Sequence, residues 1–312
     1  MSNVSGSSGF DRPLVVVGSL NMDLVLRTPR VPAAGETLSA FGFATHPGGK
    51  GANQAVACAR MGAPTRMIGR VGSDFYGHAL REALAADGID AAEVEASAAT
   101  HSGIAMILVE PDGQNRILLA PGANGELGAA DIERRAALIA GAAMLIVQLE
   151  VPLAAVERAV SIAHRAGVAV LLNPAPAAVL PATLWPQIDL LVPNESEAAA
   201  LAGCPVEDAA SAAKAAVALR ARGVGRVVVT LGAHGVVIAD ADGTRHLPAE
   251  IVAAIDTTAA GDCFIGALAT GLREGWSLAR AAAFGQSAAA ICVTRAGAQP
   301  AIPYRREVRE PR

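Results

Sequence analysis

The sequence predicts an α/β fold, a doubly wound and mostly parallel sheet with helices on both faces, joined to a small β-sheet lid. Three observations predict it. From residue 130 onward, short apolar runs alternate with helical stretches, the pattern of βαβ units around a parallel sheet. Residues 25–45 alternate with Pro and Gly interruptions, which suits exposed strands of a separate small sheet. Polar residues stand directly after several buried strands, where open α/β sheets hold their ligands.

Taken in order, residues 1–10 are rich in Ser, Gly and Asn, without a cationic start or apolar stretch. A disordered tail over 1–12 is expected rather than a signal peptide. Residues 14–20 form a short, β-branched apolar run, a buried strand. It leads to Asn21, Met22 and Asp23, with no G-x-G-x-x-G turn of a dinucleotide fold. Such polar residues contact a ligand or make an Asx turn. Next come Gly48, Gly49, Lys50, Gly51, Ala52 and Asn53, then a helix over 54–61. This is not a Walker phosphate loop, because no Ser or Thr follows the lysine and residue 44 is Ala. The glycines let a ligand approach the helix backbone, and Lys50 and Asn53 offer donors. A tight turn with a solvated lysine is the alternative.

Residues 66–71 read as a strand and 75–86 as a helix. Residues 103–109 and 116–119 flank Pro111, Asp112 and Gly113, a hairpin signal. With 25–45 they make a lid that would exclude water from a reaction. Its outer apolar face calls for cover, most simply by a second copy of itself. Strands at 143–149, 168–173, 189–193 and 226–231 then alternate with helices at 152–166, 195–202 and 207–222. Glu150 ends the first of these strands, just before Pro152 at a helix start. Asn194 and Glu197 follow another strand, at a spacing also used by helix caps. Thr230, Gly232 and Gly235 form a tight turn between strands, with His234 an exposed loop residue. A last helix, capped at Ser277, runs to about 293, and a loop over 294–300 returns. The chain is thus expected as one domain over 13–304, with lid strands inserted at about 24–46 and 102–120 and a tail at 305–312.

Composition narrows the function classes. The 312 residues carry a net charge of -4 with 17% charged residues, giving no basic footprint for nucleic acid. Hydrophobic residues reach 52% and mean hydropathy +0.39, owing to alanine. The longest apolar run, 136–149, is too short to span a bilayer. The 4 cysteines have no metal-ligand spacing, so a reducing cytoplasm is expected.

The stretch Asp256-Thr-Thr-Ala-Ala-Gly-Asp262-Cys-Phe-Ile-Gly266-Ala is the most informative. Phe264, Leu268 and Leu272 fall on one helix face. Ala259, Ala260 and Gly261 therefore sit where a loop becomes a helix N-terminus, whose unpaired N–H groups welcome an anion. A carboxylate there, Asp262, would oppose a bound phosphate unless it takes a proton from the attacking hydroxyl. The alternative is a helix cap among small packing residues.

Together, the G-G-K-G-A-N stretch at 48–53, Asn194-Glu-Ser-Glu197 and the 256–267 stretch resemble the ribokinase family, the phosphofructokinase-B type of sugar kinases. Three unrelated motifs stand in that family's order over residues 14–303. The resemblance implies a sugar clamp of Asn21, Asp23, Gly49, Lys50, Asn53 and Glu150. It implies ATP contacts from Asn194, Thr230, Gly232, Gly235, Gly261 and Gln286. Asn194 and Glu197 would make the Mg2+ environment. Asp256, Thr258, Cys292, Arg295, Gly297 and Ala301 would surround an activating K+. Asp262 would be the catalytic base, with the amides of Ala259, Ala260 and Gly261 stabilising charge. The implied reaction is transfer of the γ-phosphate of ATP to O5 of D-ribose by a homodimer paired through its lids. A deoxyribose or nucleoside kinase, and a sugar-sensing pseudokinase, are the alternatives. Where the family reads G-D-T-F-N-G, this chain has Cys263 and Ile265, and Ala301 stands where a Ser is common. The first two changes put in doubt a polar neighbour of Asp262, and the third predicts a weakened cation site.

Overall fold

The computed structural model describes residues 12–111 and 114–311. Among these, nine strands form one sheet: β1 (Leu14–Val17), β4 (Thr65–Gly72), β5 (Asp90–Ser97), β8 (Met144–Val147), β9 (Ala169–Leu172), β10 (Leu190–Leu191), β11 (Arg226–Thr230), β12 (Val236–Asp240) and β13 (Gly243–Leu247). Their spatial order is β13-β12-β11-β10-β9-β8-β1-β4-β5. Pairing is parallel from β11 across to β5, and β12 and β13 close one edge antiparallel. β1 lies between β4 and β8, so the chain first winds outward through β4 and β5, then returns on the other side. That reversal makes the carboxyl end of β1 and β8 a topological switch point, where such folds bind ligands.

The strand pattern produces both cores. Leu14 and Val16 of β1 and Met144 and Ile146 of β8 face one apolar cluster. Val15, Val17, Leu145 and Val147, their alternates, face the other. The first cluster is covered by α1 (Lys50–Arg60), α2 (Phe75–Ala86), α8 (Ala260–Arg273) and α9 (Leu278–Cys292). The second is covered mainly by α5 (Leu153–Arg165) and α7 (Ala209–Arg220), with α3 (Ala129–Glu133), α4 (Ala136–Ala140) and α6 (Glu195–Ala202). α1 and α8 pack closely because Gly266 has no side chain: a Cβ there would lie 2.3 Å from that of Ala57. The helix pair that meets at this glycine carries both motif stretches.

The lid is a four-stranded sheet, β3 (Gly42–Gly48), β2 (Asn21–Arg27), β6 (Gly103–Val109) and β7 (Asn115–Ala120), in that order. β6 and β7 pair antiparallel; of the turn expected at 111–113, residues 112 and 113 lie outside the described residues. Leu118 of β7 is 70% exposed and Phe43 of β3 65%.

Of residues 1–12, only Arg12 is described, and its guanidinium donates to the carbonyls of Ala140 and Gly141. Residues 305–311, within the expected C-terminal tail, pack on the domain. Arg305 pairs with Glu274 and Glu310 and lies over the Trp276 and Phe284 rings, and Val308 is buried. Among the described residues no helix is long and apolar enough to cross a membrane.

Candidate active site

The start of α8 is set by an unusual backbone. Ala259, its N-cap, has φ 59, the left-handed region. A non-glycine there costs roughly 1–2 kcal/mol, a strain seen mostly at functional sites. Beyond its chain neighbours and its own helix backbone, a Cβ on Gly261 would meet no atom of the described residues within 4 Å, and Gly261 lines a cavity. Asp262 sits in the first helical turn, where the positive end of the dipole favours a carboxylate. It is buried, and both its oxygens accept amide N–H groups: Oδ2 from Asn53 at 3.1 Å and Oδ1 from Gln54 at 2.9 Å. Burial raises its pKa above the ordinary carboxylate value, opposed by Lys50 and these two donors and reinforced by Glu150.

The start of α1 faces Asp262 across the cavity. Gly49, the N-cap, has φ 89 and supplies no side-chain cap. Glu150, 100 residues along the chain, fills that role: its Oε2 accepts from the backbone N of Lys50 at 3.2 Å and from Ser19 Oγ at 2.6 Å. Lys50 is a half-buried cation among Asp262, Glu150, Glu197 and Asp23. Burial works against its charge, but these carboxylates outweigh it and raise its pKa. Asn53, expected to donate to a ligand, gives one Nδ2 hydrogen to Asp262, and its Oδ1 has no hydrogen-bond partner among the described residues. It can offer a ligand that oxygen as an acceptor as well as its second amide hydrogen.

Asn21 and Asp23 do not end β1, as the sequence suggests, but open the lid strand β2. Asn124 takes the backbone N–H of Leu20 on its Oδ1, so its Nδ2 must be the group that meets Asn21 Oδ1, at 2.8 Å. The Asn21 amide is thereby turned with its NH2 outward. Burial, then Glu150 and Asp262, push the Asp23 carboxyl up to about 7, with Lys50 opposing. Gly48 passes so close to Asp23 that a Cβ there would lie 2.2 Å from its Oδ2. A cavity of about 280 Å³ is lined here by Asn21, Leu119, Asn124, Glu150 and Pro176.

A second cavity, of about 190 Å³, is lined by Asp262 itself with Lys50, Asn194, Glu197, Thr230 and residues 259–261. Asn194 and Glu197 make a reciprocal cap for α6: Asn194 Oδ1 accepts the Glu197 N–H at 2.8 Å, and Glu197 Oε2 accepts that of Asn194 at 2.9 Å. The cap thus fixes a carboxylate in the cavity wall, its pKa raised by burial and by Asp262 against Asn194 and Lys50. Gly232 and Gly235 have φ 50 and 93 in the turn between β11 and β12; at Gly235 a Cβ would lie 2.1 Å from the Leu247 carbonyl. Gln286 of α9 donates to that same carbonyl at 3.1 Å. These residues stand beside the cavity rather than in its lining.

Asp256 ties the segment before α8 to the loop after α9. Its Oδ1 accepts from Thr258 N at 2.9 Å and its Oδ2 from Gly297 N at 2.8 Å. These donors hold its pKa below the ordinary value in spite of burial. The Cys292 thiol meets the Thr258 carbonyl at 3.8 Å, Arg295 pairs with Glu307, and Ala301 is buried. Cys263 and Ile265 are buried beside Asp262, Cys263 against the Cys292 thiol and Ile265 in the cavity wall. Asp262 takes its donors from α1, so the polar groups absent at 263 and 265 are not its partners. Gln54, Ser19, Asn124, Gln148 and Asn173 are site residues that sequence reasoning missed. Their only signal was a polar residue in an apolar setting.

A buried carboxylate at a helix N-terminus, set in the wall of a polar cavity with Lys50 and the 259–261 backbone, is an arrangement suited to group transfer. The chain belongs to the pfkB family carbohydrate kinases, which match it over residues 11–305. It is 44% identical over 299 residues to the ribokinase of Haemophilus influenzae, covering 96% of this chain and 98% of that one. It is 37% identical over 291 residues to the deoxyribokinase of Salmonella typhi, covering 93% and 95%. The structure of Arabidopsis thaliana ribokinase complexed with ribose and ATP aligns with a TM-score of 0.88 at 33% identity, covering 95% of this chain and 97% of that one.

Proposed function

We propose that this chain transfers the γ-phosphate of ATP to O5 of D-ribose, giving ribose 5-phosphate and ADP. The observation that carries the reading is Asp262, a buried carboxylate held by two amide donors in the wall of the cavity that Lys50 and residues 259–261 also line. The attacking hydroxyl gives its proton to Asp262 as its oxygen bonds to the γ-phosphorus and the bond to ADP breaks. The amides of Ala259, Ala260 and Gly261 stabilise the charge on the transferred group. Asn21, Asp23, Gly49, Lys50, Asn53 and Glu150 hold the sugar: the Asn21 amide donates, while Asp23 and Asn53 accept. Asn194, Thr230, Gly232, Gly235 and Gln286 hold the nucleotide. The carboxylate of Glu197 and the amide of Asn194 suit Mg2+, which supplies neutralisation of phosphate charge and keeps some of its waters. The lid face that carries Phe43 and Leu118 pairs with a second copy. The free thiols at 58, 204, 263 and 292 support a reducing cytoplasm.

ADP release with ribose, 2-deoxyribose, nucleosides and no sugar tests the reading. The largest kcat/KM is expected with ribose and little release without sugar. A higher value with 2-deoxyribose moves the assignment to the activity of the Salmonella relative. Equal release with and without sugar removes the kinase reading.

K+ is proposed as an activator, held by Asp256 and by carbonyl oxygens near Thr258, Cys292, Arg295, Gly297 and Ala301. An ionised carboxylate that already joins the two loops is a fitting anchor for a hard cation. By fixing the 259–261 amides, K+ should raise kcat more than it changes KM. The rate is to be followed against KCl, NaCl and choline chloride at matched ionic strength. Identical curves, or a K+ response intact in Asp256→Ala, remove the site.

A further inference from the structure

α1 sends two amides to Asp262, and only one of them belongs to the sugar site. Gln54 is 0% exposed and lines neither cavity among the described residues. Its Nε2 donates to Asp262 Oδ1 at 2.9 Å and to Asn173 Oδ1 at 3.1 Å. Its Oε1 accepts from Gln148 Nε2. Asn173 Nδ2 donates in turn to the Val192 carbonyl at 2.9 Å. The directions of these bonds are fixed. A carboxylate and a carbonyl only accept, so the Gln54 NH2 must face Asp262 and its oxygen must face Gln148. Gln148, Asn173 and Val192 follow β8, β9 and β10. A Cβ on Gly18 would lie 2.0 Å from Gln148 Oε1, so the end of β1 also makes room for this belt. The carboxylate of Asp262 is thus referenced to the ends of four central strands, rather than to the loop before α8.

We propose that Gln54, held by Gln148 and Asn173, is a positioning residue that fixes the Asp262 carboxylate for proton abstraction. This rests on the reading of Asp262 as the base. The second side-chain torsion of an aspartate is broad, and small misplacements of a reacting group are costly. Asn53 cannot do the work alone, because its free oxygen lies among the sugar residues and its amide is therefore subject to the ligand. Gln54 touches only protein. Its N–H also favours the ionised carboxylate, so its removal should raise the pKa of Asp262. The charged groups around Asp262 are Lys50 on α1, Glu150 after β8, Glu197 on α6 and Asp23 on β2.

The test compares kcat, both KM values and the pH profile of kcat for the full chain, Gln54→Met, Gln148→Met and Asp262→Asn. Gln54→Met is expected to lower kcat roughly 10- to 100-fold, the worth of a hydrogen bond to a charged group. Both KM values should stay within roughly three-fold, since only a group off the substrate is lost. The acid limb of kcat should move to higher pH. Gln148→Met, one step removed, should shift the same limb by less, and it decides the matter if Gln54→Met does not fold. A wild-type kcat, or an unmoved acid limb in a folded variant, overturns the positioning role while a dead Asp262→Asn leaves the base intact. An active Asp262→Asn overturns both.

Discussion

Asp262→Asn is expected to lower kcat by about 10²–10⁴-fold, the usual worth of a general base, with sugar and ATP KM changed only a few-fold. Asparagine matches aspartate in size and still fits between Asn53 and Gln54, but its neutral amide is far too weak a base to take the proton. One of its oxygen positions becomes an NH2 facing another amide donor, so a modest loss of stability accompanies the loss of rate. Steady-state kinetics with a coupled ADP assay measures both parameters. A variant that keeps more than roughly a tenth of the wild-type kcat removes Asp262 from the role.

Lys50→Met should have the other large effect, and it should depend on pH. Lys50 is the half-buried cation among four carboxylates, three of them buried, and removing it costs up to about 3–5 kcal/mol when the remaining charges stay ionised. They need not stay so. Without the ammonium, burial and mutual repulsion raise Asp23, Glu197 and Asp262 further above their unfolded values. Groups with raised folded-state pKa values favour the fold while protonated and lose that contribution as pH rises through the folded values. The variant should therefore approach wild-type stability near about pH 5 and fall well below it near about pH 8. Its kcat at neutral pH should fall as well, because more of Asp262 is protonated. Urea midpoints at the two pH values measure the first effect; equal deficits at both would mean that the carboxylates do not depend on Lys50.

Much of this was legible in the sequence where local pattern and chemistry coincide. α8 and Asp262 could be read because small residues, a carboxylate and an apolar period follow one another directly. β8 and β9 could be read because strands buried on both faces are continuous apolar runs. β5 was not read: in Asp90–Ser97 the one large apolar residue is Val94, and Glu93 and Glu95 point to Arg135 on another element. Asn21 and Asp23 were correctly seen as polar residues after a strand. That they already belong to the next strand depends on pairing with Gly48, His46, Gly103 and Ala105, which no local signal carries. Gln54 in a helix reads as a solvated side chain. It becomes a site residue only because folding brings Gln148, Asn173 and Asp262 to it from 94, 119 and 208 residues away. The cap that Glu150 gives α1 was hidden for the same reason.

With Asp23 as a sugar ligand, as proposed above, sugar binding is expected to release acid. Burial, Glu150 and Asp262 push the Asp23 carboxyl up to about 7. A sugar hydroxyl that donates to it favours the ionised form and lowers that value, so occupancy expels part of a proton at neutral pH. Sugar affinity should then weaken as pH falls through about 7 and level off above it, because the proton competes with the sugar hydroxyl for the same oxygen. A metabolite that carries no charge of its own thereby becomes visible to a pH electrode. Stopped-flow mixing of the chain with sugar in weak buffer containing a pH indicator should register a transient acidification before any ATP is added. An Asp23→Asn variant that releases the same proton would trace it to another group.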